Sequence, residues 1–208
     1  MFGRIIDVGR VIAMSTCPVS SPRKSKTRHR RSNVRERITL AVRPQPGRRM
    51  RGYVISSARI ARCALGPAGP AARKCEGDGA TPAGRWKLLG VFYRADRVAR
   101  PVTALPVRAL RASDGWCDAP ADRNYNRLVT LPYAASAEAM WRADSIYDIV
   151  VILDHNTRPR MRARGSAIFI HLARDGYPPT GGCIALNSHD LRMLLRACGP
   201  GSGVMIFP

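Results

Sequence analysis

No apolar run in the 208-residue chain approaches the roughly 18 residues that mark a membrane-spanning helix. The longest, DIVVILD and SAIFIHL, are strand-sized, which leaves a soluble chain or one tethered only at its extreme N-terminus. A secretory leader needs an uninterrupted apolar centre of about 7–15 residues, and IIDVGRVIAM is broken by Asp7 and Arg10. MSTC around Cys17 is a poor echo of a lipoprotein cleavage site. The six cysteines, at 17, 63, 75, 117, 183 and 198, form no CxxC pair and no Cys/His pattern of zinc spacing, so neither a metal site nor a cofactor is expected. A disulfide among Cys63, Cys75, Cys117 and Cys198 would need an oxidising compartment, and the spacing assigns no pairing. The plainer reading is that most are small buried apolar residues. No internal repeat is present.

Acidic residues are scarce, 14 against 35 Lys and Arg, for a formal net charge of +21. Such a balance raises a nucleic-acid or anionic-glycan binding protein as one function class, but the charge is unevenly spread. Residues 1–52 hold 14 basic residues against Asp7 and Glu36, a balance of +12, which leaves +9 for the other 156. The run RKSKTRHRRSNVRER has no aromatics and no helical stripe, so residues 1–37 read as a disordered basic arm. The arm is either attracted to an anionic polymer or membrane face, or is a solvated tail, or is sequence translated upstream of the true start and not part of the native or mature chain. No nucleic-acid motif accompanies it, and nucleic acid is not expected as a partner. A monomer is the default expectation, since no exposed apolar helix face is evident.

From Ile38 the texture changes to that of one folded domain, 38–208. ITLAVR alternates as a half-buried strand does, PQPGRRMRG reads as a turn, and YVISSARIARC as a second strand. LGPAGPAARKCEGDGATPAG is loop, followed by the strand RWKLLGVFYR. VTALPVRALRASDGWCDAPADRNYNRLVTLP is mostly irregular. SAEAMWRADS, with Ser136 as N-cap and Glu138 in the first turn, reads as a short helix. DIVVILD suits a strand covered on both faces. In SAIFIHL a period of two puts Ala167, Phe169 and His171 on one face and Ile168, Ile170 and Leu172 on the other. NSHDLRMLLRACG is a helix capped by Ser188 and stopped at Gly199, and VMIF is the last strand. Short strands, Gly/Pro turns and a few short helices predict a mainly β sandwich or barrel.

The chemistry concentrates in SAIFIHLARDGYPPTGGCIAL, Ser166 to Leu186. His171 ends a strand, and Cys183 follows twelve positions later across a loop that can fold back, bringing an imidazole to a thiol. Thr180, Gly181 and Gly182 let backbone approach a bound substrate, and N–H groups at Gly182 and Cys183 suit an oxyanion hole. Trp116, Asp118, Tyr125 and Asn126 either line a channel for a peptide-glycan ligand or form a packed loop. His155 and Asn156, ending DIVVILD, either touch substrate or sit at a strand rim. Asp78 and Thr81 either shape the site floor or stabilise a turn. His189 reads as structural, and Arg174 and Asp175 as a solvated turn.

His171 followed by Thr180-Gly181-Gly182-Cys183-Ile184, together with GDGATPAG at Gly77 to Gly84, resembles the L,D-transpeptidase catalytic domain, or YkuD-like, family. That family carries a strand histidine, a loop, then Ser/Thr-x-Gly-Cys and an apolar residue, with G-x-x-T-P-x-G upstream. The resemblance covers roughly 38–208, and TGGCIAL with DGWCDAPADRNYN looks like a proteobacterial branch. Many members have His at the position of Gly181 and Arg at that of Ala185, and a longer loop after the histidine. The resemblance implies a periplasmic or cell-envelope enzyme acting on peptidoglycan stem peptides. Cys183 would be the nucleophile, His171 the general base and backbone near Gly182 the oxyanion hole, with Thr180, Gly181, Trp116, Tyr125, Asn126, His155 and Asn156 around the substrate. It implies release of D-alanine and a 3→3 cross-link, or, with water as acceptor, L,D-carboxypeptidase or amidase activity. A nucleophile of this kind is expected to have a depressed pKa and to outrun the other five thiols in alkylation.

Overall fold

A computed structural model describes residues 38–208; the basic arm assigned to 1–37 lies outside them. Its elements in chain order are β1 (Thr39–Gln45), β2 (Arg48–Ile55), β3 (Ile60–Ala64), β4 (Gly69–Ala71), β5 (Ala80–Pro82), β6 (Gly84–Tyr93) and β7 (Val107–Ala109). There follow β8 (Asp114–Cys117), β9 (Arg127–Thr130), β10 (Ala137–Ala139), β11 (Ile149–Leu153), β12 (Phe169–Leu172), β13 (Ile184–Leu186), α1 (Ser188–Ala197) and β14 (Gly203–Ile206). The main sheet runs β11-β12-β13-β3-β2-β1-β14-β6-β7, and β11 also pairs with β6. The ladder therefore closes on itself through eight strands, with β7 attached to β6, which removes open edges that would otherwise invite pairing with other chains. β10-β8-β9 form a small second sheet, and β4 pairs with β5.

The alternation read from the sequence sorts side chains into two cores. Ile168, Ile170 and Leu172 join Val42, Val54, Ile149, Val151 and Ile184 in the larger one, which α1 closes with Leu191, Leu194 and Leu195. Phe169 turns the other way, into a smaller cluster with Trp116, Met140, Tyr147, Val150 and Ile152. β11 is buried at every position, as a continuous apolar run between two cores requires.

Several local expectations are corrected. SAEAMWRADS is not a helix: Ala137–Ala139 is a strand paired with β8, Glu138 opposite Trp116, and Met140 is buried. One short stretch cannot nucleate a helix against a ladder that satisfies the same backbone groups. Instead of a few helices, α1 is the one α-helix among the described residues. Its N-cap is Asn187, whose Oδ1 accepts from Asp190 N at 2.8 Å, not Ser188, and its C-cap is Cys198. The turn after β1 is confined to Pro46 and Gly47, where φ is +73°. RRMR, too polar to read as strand, forms the exposed half of β2. The predicted long strand 53–63 is broken by a turn closed by Ser56 N to Arg59 O, 2.8 Å. The described cysteines, Cys63, Cys75, Cys117, Cys183 and Cys198, are all unpaired, and all but Cys75 are buried.

Ile184 is fully buried where β12, β13 and the larger core meet. Ile184→Ala is expected to lower unfolding stability by about 2–5 kcal/mol, measured by urea denaturation at neutral pH.

Candidate active site

β12 and β13 pair in parallel, Ile170 opposite Ile184 and His171 opposite Ala185. Ile184 faces the larger core, so Cys183, one residue earlier, faces the smaller one beside Phe169. His171 projects to the same side two residues beyond Phe169. The two side chains are thus one strand spacing apart across the sheet, about 4.8 Å, and one two-residue step along it, about 6.6 Å. Both line a cleft of about 320 Å³ whose other walls include Glu76, Glu138, Arg142 and Arg174.

Each group is held by backbone. His171 Nδ1 lies 2.9 Å from Leu172 O; a carbonyl only accepts, so Nδ1 carries the hydrogen and Nε2 keeps its lone pair. The Tyr147 ring meets the imidazole edge-on at 5.4 Å between centroids. The Cys183 thiol donates to Ala167 O at 3.2 Å and accepts from Phe169 N at 3.3 Å. Ala167 sits at φ +52°, a left-handed conformation that costs a non-glycine residue roughly 1–2 kcal/mol. It is retained because Ala167 N donates to Asn126 Oδ1 at 3.1 Å.

The turn before the thiol is shaped by packing. At Gly182 φ is +122°, and a Cβ there would stand 2.6 Å from Ala80 O, so only glycine fits. At Gly181 a Cβ would meet nothing within 4 Å, which leaves room for a larger residue. Ala80 belongs to the GDGATPAG loop, which therefore backs directly onto the cysteine turn. Thr81, fully buried, accepts from Gly66 N at 2.9 Å. Asp78 takes the N–H groups of Cys75 and Ala80 at 2.7 and 2.8 Å and pairs with Lys74. Thr180 Oγ1 donates to Cys183 O at 2.7 Å and accepts from Gly182 N at 3.2 Å.

A family model, the L,D-transpeptidase catalytic domain (YkuD), matches residues 32–206. The chain belongs to this family. No curated protein matches the chain. Among solved structures, Bdellovibrio bacteriovorus Bd1075 aligns with 82% of this chain at 12% identity, with a TM-score of 0.41. The chain spans about half the length of that protein, 48% of it.

In this L,D-transpeptidase-family domain, Thr180, Gly181, Cys183, His171 and Asp118 reach the cleft. Trp116, Tyr125, Asn126, His155 and Asn156 are not among the residues that line it; they form the scaffold behind. Trp116 Nε1 donates to Asn126 Oδ1 at 2.9 Å, and Asn126 Nδ2 donates to the His155 and Asn156 carbonyls at 3.0 and 2.9 Å. The same Asn126 oxygen holds Ala167, and so the carbonyl that meets the thiol. Tyr125 hydrogen-bonds Glu76. Asn156 bridges Met161 and Gly165.

Sequence reasoning missed three charged residues of the cleft, Glu138, Arg142 and Arg174. Glu138 and Arg142 carry the i,i+4 spacing of a helical pair, which hid them, yet they lie on β10 and the bend after it. Glu138 Oε1 accepts from Tyr147 OH at 2.6 Å, and burial raises its pKa. Arg174, read as a solvated turn, shares Asp144 with Arg142: Arg174 Nη2 to Asp144 Oδ2 is 2.9 Å and Arg142 Nε to Asp144 Oδ1 is 2.8 Å. These guanidiniums hold the Asp144 carboxyl well below the usual carboxylate range.

The depressed thiol pKa expected of an activated cysteine is not found in the free protein. Burial, with the Glu138 charge adding to it, pushes Cys183 up to about 12. Burial, with the nearby Arg174 and Arg142 charges adding to it, pulls His171 down to about 4. Thiol and imidazole are both neutral at pH 7, so Cys75, the one exposed thiol described, is expected to be alkylated first.

A histidine whose folded pKa lies below its unfolded value of 6.5 lets the unfolded chain bind the extra proton as pH falls. Stability is therefore full above about pH 6.5 and declines toward pH 4. Going from pH 7 to pH 5 should cost about 2 kcal/mol through this residue. Urea titrations of wild type and His171→Gln at both pH values should show that part of the loss absent from the variant.

Proposed function

We propose that this domain is a cysteine-dependent L,D-transpeptidase of the cell envelope acting on peptidoglycan stem peptides. The observation that carries the reading is a histidine with Nδ1 tied to a backbone carbonyl and Nε2 free, sharing one cleft and one sheet face with a cysteine thiol, in a member of this family. A neutral imidazole with an open Nε2 is the form that can accept a proton.

The Cys183 proton passes to His171 Nε2 as Sγ attacks the carbonyl at the L-centre of the stem's diamino acid. The Sγ–C bond forms, the C–N bond to D-alanine breaks, and the leaving amine takes the proton from His171. The resulting thioester meets an amine of a neighbouring stem, which loses a proton to His171 as the amide forms and the thiol is restored. Backbone N–H groups at the Gly182–Cys183 turn hold the developing oxyanion. Gly182 N–H gives up a long 3.2 Å bond to Thr180 to do so. Thr180 and Gly181 border the acyl site, and Arg142 and Arg174 meet a substrate carboxylate where Ala185 offers no charge. Asn126, with Trp116, His155 and Asn156, acts through Ala167 by setting where the thiol points, and Tyr125 does so through Glu76.

The test is intact-mass and product analysis with a soluble tetrapeptide stem. Wild type should carry a tripeptidyl thioester, lost in Cys183→Ala, and should yield an amide when an amine acceptor is added. Free tripeptide alone, with acceptor present, would make the enzyme a carboxypeptidase, and no adduct on folded protein would remove Cys183 as nucleophile. His171→Ala should keep the fold by circular dichroism and lower turnover by about 10²–10⁴-fold.

A further inference from the structure

A second cleft, of about 350 Å³, lies where Trp86 and Arg85 of β6 face the segment from Asp154 to Arg164. Arg85, Arg158 and Arg164 are exposed, and none of them pairs with a carboxylate among the described residues. Trp86 Nε1 is spent on Pro82 O at 3.0 Å, so the half-buried indole offers only its ring. It meets His155 edge-on at 4.6 Å. His155 is 7% exposed. Its Nε2 lies 3.1 Å from Arg164 O and so carries the hydrogen, which leaves Nδ1 a buried acceptor with no partner among the described residues. Native proteins seldom leave such an atom unmatched without reason.

This cleft stands back to back with the catalytic one. Lys74 and Arg164 line the basic cleft, while Glu76, Ser166 and Ala167 line the catalytic cleft. The two segments are stitched by Glu76 N to Ala163 O at 2.9 Å and Ser166 Oγ to Glu76 Oε2 at 2.9 Å. One wall therefore separates a peptide-sized cleft holding a nucleophile from a cleft with unpaired guanidiniums, an aromatic ring and an unmatched acceptor.

We propose that the Trp86–His155–Arg164 cleft is a second binding site, which holds the glycan strand whose stem peptide occupies the catalytic cleft, together with the free carboxylates of a neighbouring stem on that strand. The proposal rests on the peptidoglycan reading above. Guanidiniums suit the free carboxylates of that neighbouring stem, the ring suits a sugar face, and a small shift of His155 would bring its buried Nδ1 to a hydroxyl or amide N–H donor. The same positive charge suits a nucleic acid less well, because Asp154 also lines the cleft and a polyphosphate carries a charge at every unit, where the glycan carries charges only on its stems.

The test compares full-length wild type with the combined variant Arg85→Glu, Arg158→Glu and Arg164→Glu. Its probes are soluble glycan strands bearing uncross-linked stems, the free tetrapeptide stem, and a single-stranded oligonucleotide of matched charge. The variant should bind glycan strands about tenfold more weakly, a change of about 1.4 kcal/mol, and turn over the free tetrapeptide as wild type does. Equal affinity of both proteins for the strands overturns the proposal. So does an oligonucleotide that binds wild type more tightly than the strands and is lost in the variant, which would make the occupant a nucleic acid. If wild type fails to process the tetrapeptide while strand binding still falls in the variant, the transpeptidase reading fails and the glycan site stands.

Discussion

In-register parallel pairing of β12 with β13 is the constraint on which the candidate site depends. A slip of one residue would send Cys183 into the larger core and bring Ile184 into the cleft, because side chains alternate with period two. The register is held by the larger core, in which Ile170, Leu172, Ile184 and Leu186 are all buried and a polar side chain would lose its hydration. It is held from behind by Gly182, whose close approach to Ala80 O fixes where the turn enters β13. The upstream GDGATPAG loop and the cysteine motif, far apart in sequence, are two sides of one contact.

The same burial that positions the pair keeps it uncharged. Burial pushes the thiol up and pulls the imidazole down, so moving the proton across before substrate arrives is opposed from both sides. Burial therefore favours the neutral pair in the free protein. In the proposed mechanism charge is instead made as the Sγ–C bond forms, when the developing negative charge leaves sulfur for an oxygen that backbone N–H groups can meet. The Glu138 carboxyl, hydrogen-bonded to Tyr147 and raised by burial, opposes a free thiolate in the same direction. A buried thiol of this sort is protected from casual oxidants and alkylators, whose reaction requires thiolate.

What the sequence made legible follows physical range. Alternation in SAIFIHL, the continuous apolar DIVVILD and the amphipathic last helix are local patterns enforced by a core, and each became the element expected. The cysteine turn and the loop behind it were also legible, since glycine and proline carry backbone information directly. SAEAMWRADS was misread because its outcome depends on β8, some twenty residues earlier, whose backbone groups claim Ala137–Ala139. Trp116, Asn126 and His155 were chosen as polar and aromatic residues near the motifs. Whether such a group faces a ligand or braces a loop depends on partners that no spacing encodes, and here Asn126 spends its hydrogen bonds on Trp116, Ala167, His155 and Asn156.

The scaffold behind the cleft then has a consequence for how the two clefts relate. Asn126 holds Ala167, which sets the thiol, and also holds the His155 and Asn156 carbonyls at the start of the segment lining the basic cleft. Gly165, at φ +93°, carries the chain between them with no room for a Cβ, which would stand 2.8 Å from Lys74 Cγ and 3.2 Å from His155 Nε2. A ligand that shifted His155 would press on the wall that carries Ser166 and Ala167, and through Ala167 O on the thiol. If both proposals hold, binding in the basic cleft and alignment of the Cys183 thiol are coupled through a short run of chain rather than through a long path.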